Sequence, residues 1–114
     1  MTNYISEFEI QKTFHQWCLK QDFILFSFHV PNGLKSTAKN VALLKQAGLR
    51  KGVPDYWVIL KNKKILAIEF KTEKGELSKE QNNFIKILDY CGIPNEVCRS
   101  ANEAVRFVKK ELLL

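Results

Sequence analysis

Three side chains in the middle of this sequence, Asp55, Glu69 and Lys71, have types and spacing suited to chemistry on a phosphoryl group. The segment Ile65-Leu66-Ala67-Ile68-Glu69-Phe70-Lys71 begins with four apolar residues, the mark of a strand covered on both faces. Its side-chain period of two puts Glu69 and Lys71 on one face and Ile68 and Phe70 on the other. A carboxylate at the end of a covered strand costs several kcal/mol unless a partner stabilises it. Asp55, directly after Gly52-Val53-Pro54, opens the preceding strand. A hairpin with its tip at Lys61 to Lys64 brings the start of one strand beside the end of the other, so Asp55 is predicted to lie close to Glu69 and Lys71. Two carboxylates in a partly buried cleft repel, and one pKa rises unless a cation joins them. Mg²⁺ suits that place: it is hard, prefers carboxylate oxygens, and keeps water and phosphate oxygens as its other ligands. A metal so held activates water and neutralises charge on a phosphoryl group under attack. Lys71 would orient that water or stabilise the developing charge. The plain alternative is a Glu69–Lys71 surface pair with Asp55 capping a turn.

The elements that must position these groups follow from periodicity and punctuation. Ser6 caps a first helix running to about Lys20, with Ile10, Phe14, Trp17 and Cys18 on one face. Phe23 to Val30 is aromatic and β-branched, a strand stopped by Pro31-Asn32-Gly33. A second helix fits Ser36 to Ala47, with Ser36 as cap, Ala38, Val41, Ala42 and Leu44 turned inward, and Gly48 as the stop. Lys35, Lys39 and Lys45 edge its outer side. Tyr56 to Leu60 and Ile65 to Lys71 form the hairpin. Ser78-Lys79-Glu80-Gln81 is a capping box opening a helix with Phe84, Ile85 and Leu88 inside, ended by Gly92. Ile93 to Cys98 is a short strand whose proline suggests a sheet edge. Ser100-Ala101-Asn102-Glu103 starts a terminal helix with Val105 and Val108 buried. The order αβαββαβα predicts an α/β fold with one mixed sheet flanked by helices on both faces.

The chain has 114 residues, 46% of them hydrophobic and 26% charged. Surface scaling gives roughly 6,500 Å² exposed when folded against roughly 19,000 Å² unfolded, enough for one core and too little for two. One domain over residues 1–114 is expected. The longest apolar runs, Tyr56 to Leu60 and Ile65 to Ile68, fall far short of the roughly 20 residues that span a bilayer. The acidic N-terminal segment argues against export. Three cysteines, Cys18, Cys91 and Cys98, form no CxxC pair, so an intracellular, cytoplasmic setting is expected. The net charge is +6. Between Lys35 and Lys79 there are eleven bases and four acids, so all the excess lies in the middle of the chain. Such a field attracts polyanions, nucleic acid above all.

Gly52-Val53-Pro54-Asp55, then Ala67-Ile68-Glu69-Phe70-Lys71, then Leu77-Ser78-Lys79-Glu80-Gln81 resemble the VRR-NUC (virus-type replication–repair nuclease) family of the PD-(D/E)XK nuclease superfamily. The resemblance covers nearly the whole chain and implies a restriction-endonuclease-like fold. It implies that Asp55 and Glu69 bind the metal, that the Phe70 carbonyl adds a ligand, and that Lys71 is the catalytic lysine. Gln81 is similar to a glutamine facing the active site in this family; its other reading is a capping residue. Glu7 and Gln11, four apart on the first helix, match the family's E-x-x-x-Q, which makes Glu7 the upstream acidic ligand. Glu9 is the alternative, with a spacing that fits less well. Pro31-Asn32-Gly33 resembles the family's P-N-G-G turn, with Leu34 in place of the second glycine, and places Asn32 and Gly33 near a phosphate. Leu43 to Lys51 also matches. Its Lys45, Arg50 and Lys51, with Lys35, Lys39 and Lys74, are the expected nucleic-acid contacts.

No third histidine or cysteine joins His15 and His29 in a zinc set, so structural roles lead for both. Cys18 reads as core, and no Gly-rich loop supports an ATPase. The apolar Leu112-Leu113-Leu114 end suggests a covering partner, and the resemblance implies a homodimer. The resulting expectation is a Mg²⁺- or Mn²⁺-dependent deoxyribonuclease acting on branched or junction DNA. Its rivals are a non-catalytic nucleic-acid-binding module of the same fold and a nuclease subunit that needs another protein.

Overall fold

A computed structural model of the chain describes residues 6–31 and 37–114. The elements are α1 (Glu7–Cys18), β1 (Ile24–His29), α2 (Ala38–Gln46), β2 (Tyr56–Leu60), β3 (Ile65–Phe70), α3 (Lys79–Tyr90), β4 (Asn95–Cys98) and α4 (Ala101–Leu113). Their alternation is the one read from the sequence. The strands form one sheet in the order β1-β2-β3-β4. β1 and β3 both run antiparallel to β2, and β4 runs parallel to β3, giving the mixed sheet of the restriction-endonuclease-like fold.

The β2–β3 hairpin sets the register that matters. Its turn places Lys63 at φ 74°, a conformation uncommon outside glycine. The Lys64 amide donates to Asn62 Oδ1 at 3.0 Å, and the Leu60 amide donates to the Lys64 carbonyl at 2.9 Å. Tyr56 stands opposite Ile68. The preceding Asp55 and the following Glu69 are therefore brought level at the open end of the hairpin.

Alternation along both strands sends Tyr56, Val58, Leu60, Leu66, Ile68 and Phe70 into the core, where they meet Ile10 and Phe14 of α1 and Phe107 and Val108 of α4. Helices α1 and α4 pack on each other, and α1 reaches β1 and β3. Phe14 sits at the centre, its ring 5.7 Å from Trp17, 5.4 Å from Tyr56 and 5.7 Å from Phe70. A polar chain crosses this core: His15 Nδ1 meets the Tyr56 hydroxyl, which donates to Ser27 Oγ at 2.9 Å. His15 thus has a structural partner, tying α1 to β2 and β1. Burial pushes the thiol of Cys18 up to about 11 and that of Cys98 up to about 12, so both remain neutral core residues.

Several expectations need correction. Helix α1 stops at Cys18, two residues before Lys20. Thr37 caps α2 by accepting from the Asn40 amide at 3.2 Å, one residue after the expected cap, Ser36, which lies outside the described residues. None of the α2 residues is buried. Val41 is half-buried, while Ala38, Ala42 and Leu44 are exposed. The periodicity correctly marks a helix with an apolar stripe, yet none of the closely packed element pairs includes α2. In α3 only Leu88 is buried, with Phe84 and Ile85 half-buried. In α4 Val105 is half-buried, and Ala104 and Phe107 join Val108 inside. Pro94 precedes β4, and its carbonyl accepts from the Ala67 amide at 3.0 Å. Leu112 packs partly on the core, whereas Leu113 and Leu114 are exposed.

The face of the sheet away from Phe14 is incompletely covered. Register pairs Phe26 with Ile59 and Phe28 with Trp57 on that face. Phe26 and Phe28 are exposed and stack loosely on each other, with ring centroids 6.0 Å apart. No helix among the described residues is long and apolar enough to cross a membrane.

Candidate active site

Asp55 is fixed from four directions. Pro54 restricts the backbone before it, and the Pro54 carbonyl accepts from Trp57 Nε1 at 3.0 Å. The Asp55 carbonyl accepts from the Val30 amide at 2.7 Å and from His29 Nδ1 at 3.0 Å. Its side-chain Oδ2 accepts from the Phe70 amide at 3.1 Å, across the open end of the hairpin. Glu69, next in the strand, is 6% exposed. Its carboxyl is pushed up to about 9, first by burial, then by the hydrogen bond and charge of Asp55; Glu7 adds to the shift and Lys71 opposes it. Glu7, Asp55, Glu69 and Lys71 therefore share one electrostatic environment.

These residues line a cleft of about 1190 Å³. Helix α1 contributes Glu7, Phe8 and Gln11. Helix α2 and the segment after it contribute Val41, Leu44, Lys45, Leu49, Arg50 and Lys51. Ser78, Glu80 and Gln81 enter from the start of α3. Gln81 closes the α3 capping box, its Oε1 accepting from the Ser78 amide at 2.9 Å, while still lining the cleft. Glu9 does not line the cleft; its amide donates to the Ser6 cap at 3.1 Å. Lys39 and Lys74 are exposed outside the cleft. Asn32, Gly33, Leu34 and Lys35 lie outside the described residues. Among the described residues, no group of three or more His, Cys, Asp or Glu is assembled as a metal cage. Two carboxylates in contact at a buried point are what the cleft presents.

The model of the VRR-NUC domain matches residues 5–102. The chain belongs to the VRR-NUC family. A solved structure described as a VRR_NUC domain protein superposes with a TM-score of 0.79 at 19% identity, covering 96% of this chain and 89% of that one, and so shares the fold. No curated protein matches. Family and fold together support a nuclease of the PD-(D/E)XK type.

Three features of this VRR-NUC chain escaped the sequence reading. Arg99, between β4 and α4, donates from one guanidinium nitrogen to the carbonyls of Thr72 and Gly75, each at 2.7 Å, and of Glu73 at 3.3 Å. It clamps the loop that follows Lys71. His29 lines the cleft with its Nδ1 donating to the Asp55 carbonyl at 3.0 Å. Phe8 is a large exposed aromatic beside Glu7. A lone arginine bonded to backbone carbonyls carries no spacing signal, and neither does an aromatic on the polar side of a helix.

Gly52 governs how the Asp55 loop meets α3. It sits at φ +92°, and a Cβ there would lie 2.5 Å from the backbone carbon and oxygen of Glu80. Gly52→Ala is thus both strained and clashing with rigid helix backbone. It should lower unfolding stability by about 2 kcal/mol or more, read by urea denaturation. An unchanged midpoint would mean the loop approaches α3 less closely.

The raised Glu69 pKa has a consequence for the metal-free VRR-NUC domain. The group's folded value, about 9, lies above the ordinary carboxyl value of 4.5. Its contribution is fully present below pH 4.5 and is lost as pH rises to about 9, because only the unfolded chain releases the proton across that window. Stability in EDTA should fall steadily across it. Glu69→Gln should flatten the slope, and a parent curve equally flat would contradict the buried placement.

Proposed function

We propose that this VRR-NUC domain is a Mg²⁺- or Mn²⁺-dependent deoxyribonuclease that cleaves branched or junction DNA. The observation that carries the reading is the buried Glu69 carboxyl held against Asp55 in a cleft edged by Lys45, Arg50, Lys51 and Lys71. The donor set fits a hard divalent ion. A cation held by the two carboxyls would offset both the charge repulsion of the ionised pair and the burial penalty. Asp55 and Glu69 would hold the ion, with the Phe70 carbonyl and Glu7, through water, as further ligands. When bound, the ion lowers the pKa of a water molecule and neutralises phosphoryl charge.

The chain's own groups do the rest. Lys71 places a positive charge on the Glu69 face, where it orients the attacking water and offsets charge building on the phosphoryl oxygens. Gln81, partly held by its capping bond, and Gln11 offer amide donors to the same space. Lys45, Arg50 and Lys51 bind flanking phosphates. The water oxygen adds to phosphorus, the bond to the 3′ oxygen breaks, and a 5′-phosphate and a 3′-hydroxyl result.

Residues 1–114 are proposed to act as one domain, and the enzyme to work as a homodimer through the open sheet face around Phe26 and Phe28. Phe26 and Phe28, both exposed, give that face its apolar patch. Sedimentation reports the mass directly, and Phe26→Lys should convert a dimer to monomers.

The deciding experiment presents branched, linear duplex and single-stranded DNA with Mg²⁺, Mn²⁺ or EDTA. Metal-dependent cuts, fastest on branched DNA, are expected. Binding without cuts on any substrate would favour the second reading, a non-catalytic nucleic-acid-binding module. That reading draws on the absence, among the described residues, of a group of three or more His, Cys, Asp or Glu placed to hold a metal ion.

A further inference from the structure

The cleft has a wall that phosphate chemistry does not need. Phe8 is 67% exposed, Leu44 42% and Leu49 39%, and all three line the same space as the acid pair. Val41, Leu44 and Lys45 are spaced three and four apart, so one face of α2 looks into the cleft. With none of its residues buried, α2 has no core to serve with that stripe. Phe8 lines the same cleft as Glu7, whose charge reaches Glu69. An apolar wall rimmed by Lys45, Arg50 and Lys51 needs an occupant that is anionic along one edge and flat and apolar beside it. A stacked duplex presents phosphates and groove edges to a protein and keeps its base faces hidden. An unpaired nucleotide shows both.

We propose that Phe8, with Leu44 and Leu49, receives an unstacked base next to the phosphate being cut, and so selects DNA that carries an unpaired nucleotide at that point. This rests on the reading that the phosphate enters the Asp55–Glu69 cleft, and it names the feature of the substrate that the cleft recognises. Phe8 stacks, and the basic rim carries the strand. Continuous duplex, lacking a free base, gains nothing from the apolar wall.

The test uses the full chain and two DNAs, a continuous duplex and the same duplex with one unpaired 2-aminopurine beside the cleavage point. Binding is read with Asp55→Asn protein, since stacking on an aromatic ring quenches 2-aminopurine fluorescence. Cleavage is read with the otherwise unaltered chain. Phe8→Ala, at an exposed position, should abolish the quenching and lower cleavage of the unpaired substrate by about ten- to a hundredfold, leaving continuous duplex unaffected. Phe8→Trp should restore both signals. An abasic residue at the unpaired position should cost the parent what it no longer costs Phe8→Ala. Equal quenching and an equal preference in parent and Phe8→Ala would overturn the proposal. Quenching that depends on Phe8, with no cleavage of either DNA, would sustain the base site and overturn the nuclease reading instead.

Discussion

Asp55→Asn should leave the protein folded and slow DNA cleavage by about 10³-fold or more. Asparagine keeps a carbonyl oxygen where Asp55 Oδ2 accepts from the Phe70 amide, so the end of the hairpin stays closed. Alanine would leave that amide without its acceptor and cost about 1–3 kcal/mol, confusing a chemical loss with a structural one. The substitution removes the charge that pairs with Glu69 at the ion. Metal-free thermal stability near neutral pH should stay level, because the raised Glu69 pKa keeps that carboxyl neutral beside either side chain and the Phe70 amide keeps its acceptor. The rise in melting temperature that Mg²⁺ or Mn²⁺ gives the parent should disappear. Lys71→Ala should cost about 10²- to 10³-fold in cleavage while the metal-induced stabilisation survives, since its role is toward water and phosphate. Cleavage by either variant at the parent rate would refute the assignment.

The second large effect is on stability. Phe14 is fully buried where α1 seats on β2 and β3, in ring contact with Trp17, Tyr56 and Phe70. Phe14→Ala should cost about 3–5 kcal/mol, a large share of the roughly 5–15 kcal/mol typical of a whole domain. Chemical denaturation measures it, and Phe14→Leu should recover most of the loss. Phe14 also holds the helix that carries Glu7 and Gln11, so cleavage at low temperature should fall further than the unfolded fraction explains. A loss below about 1 kcal/mol would mean that α1 is seated by other contacts.

The acid pair was legible because its cause is local. A covered strand ending in Glu69, a Gly-Val-Pro before Asp55 and a four-residue turn fix a register that needs no long-range information. The Ser78 box was equally plain, since its donor and acceptor lie three residues apart. What escaped depends on partners far along the chain. Lys64 reads as a hairpin tip, yet its ammonium donates to the Glu111 carbonyl at 2.9 Å and lies 3.5 Å from the Glu111 carboxylate. Arg99 reads as an isolated base between two elements and is spent on the loop after Lys71. The α2 stripe shows the other limit: periodicity reports that a helix has an apolar side, not what that side will meet. At Val41 and Leu44 it meets the cleft.

The register that sets Tyr56 opposite Ile68 also governs the order in which the molecule comes apart. Both acids ride on one short antiparallel ribbon in the middle of the sheet, while α2 buries nothing. Fluctuations that loosen the periphery will release α2 long before they separate the strands of that ribbon, so amide protons of Val58 and Leu66 should outlast those of Leu43 and Leu44 in deuterated solvent. The groups that react are thereby uncoupled from the groups that admit, and the gateway can breathe without disturbing what lies behind it.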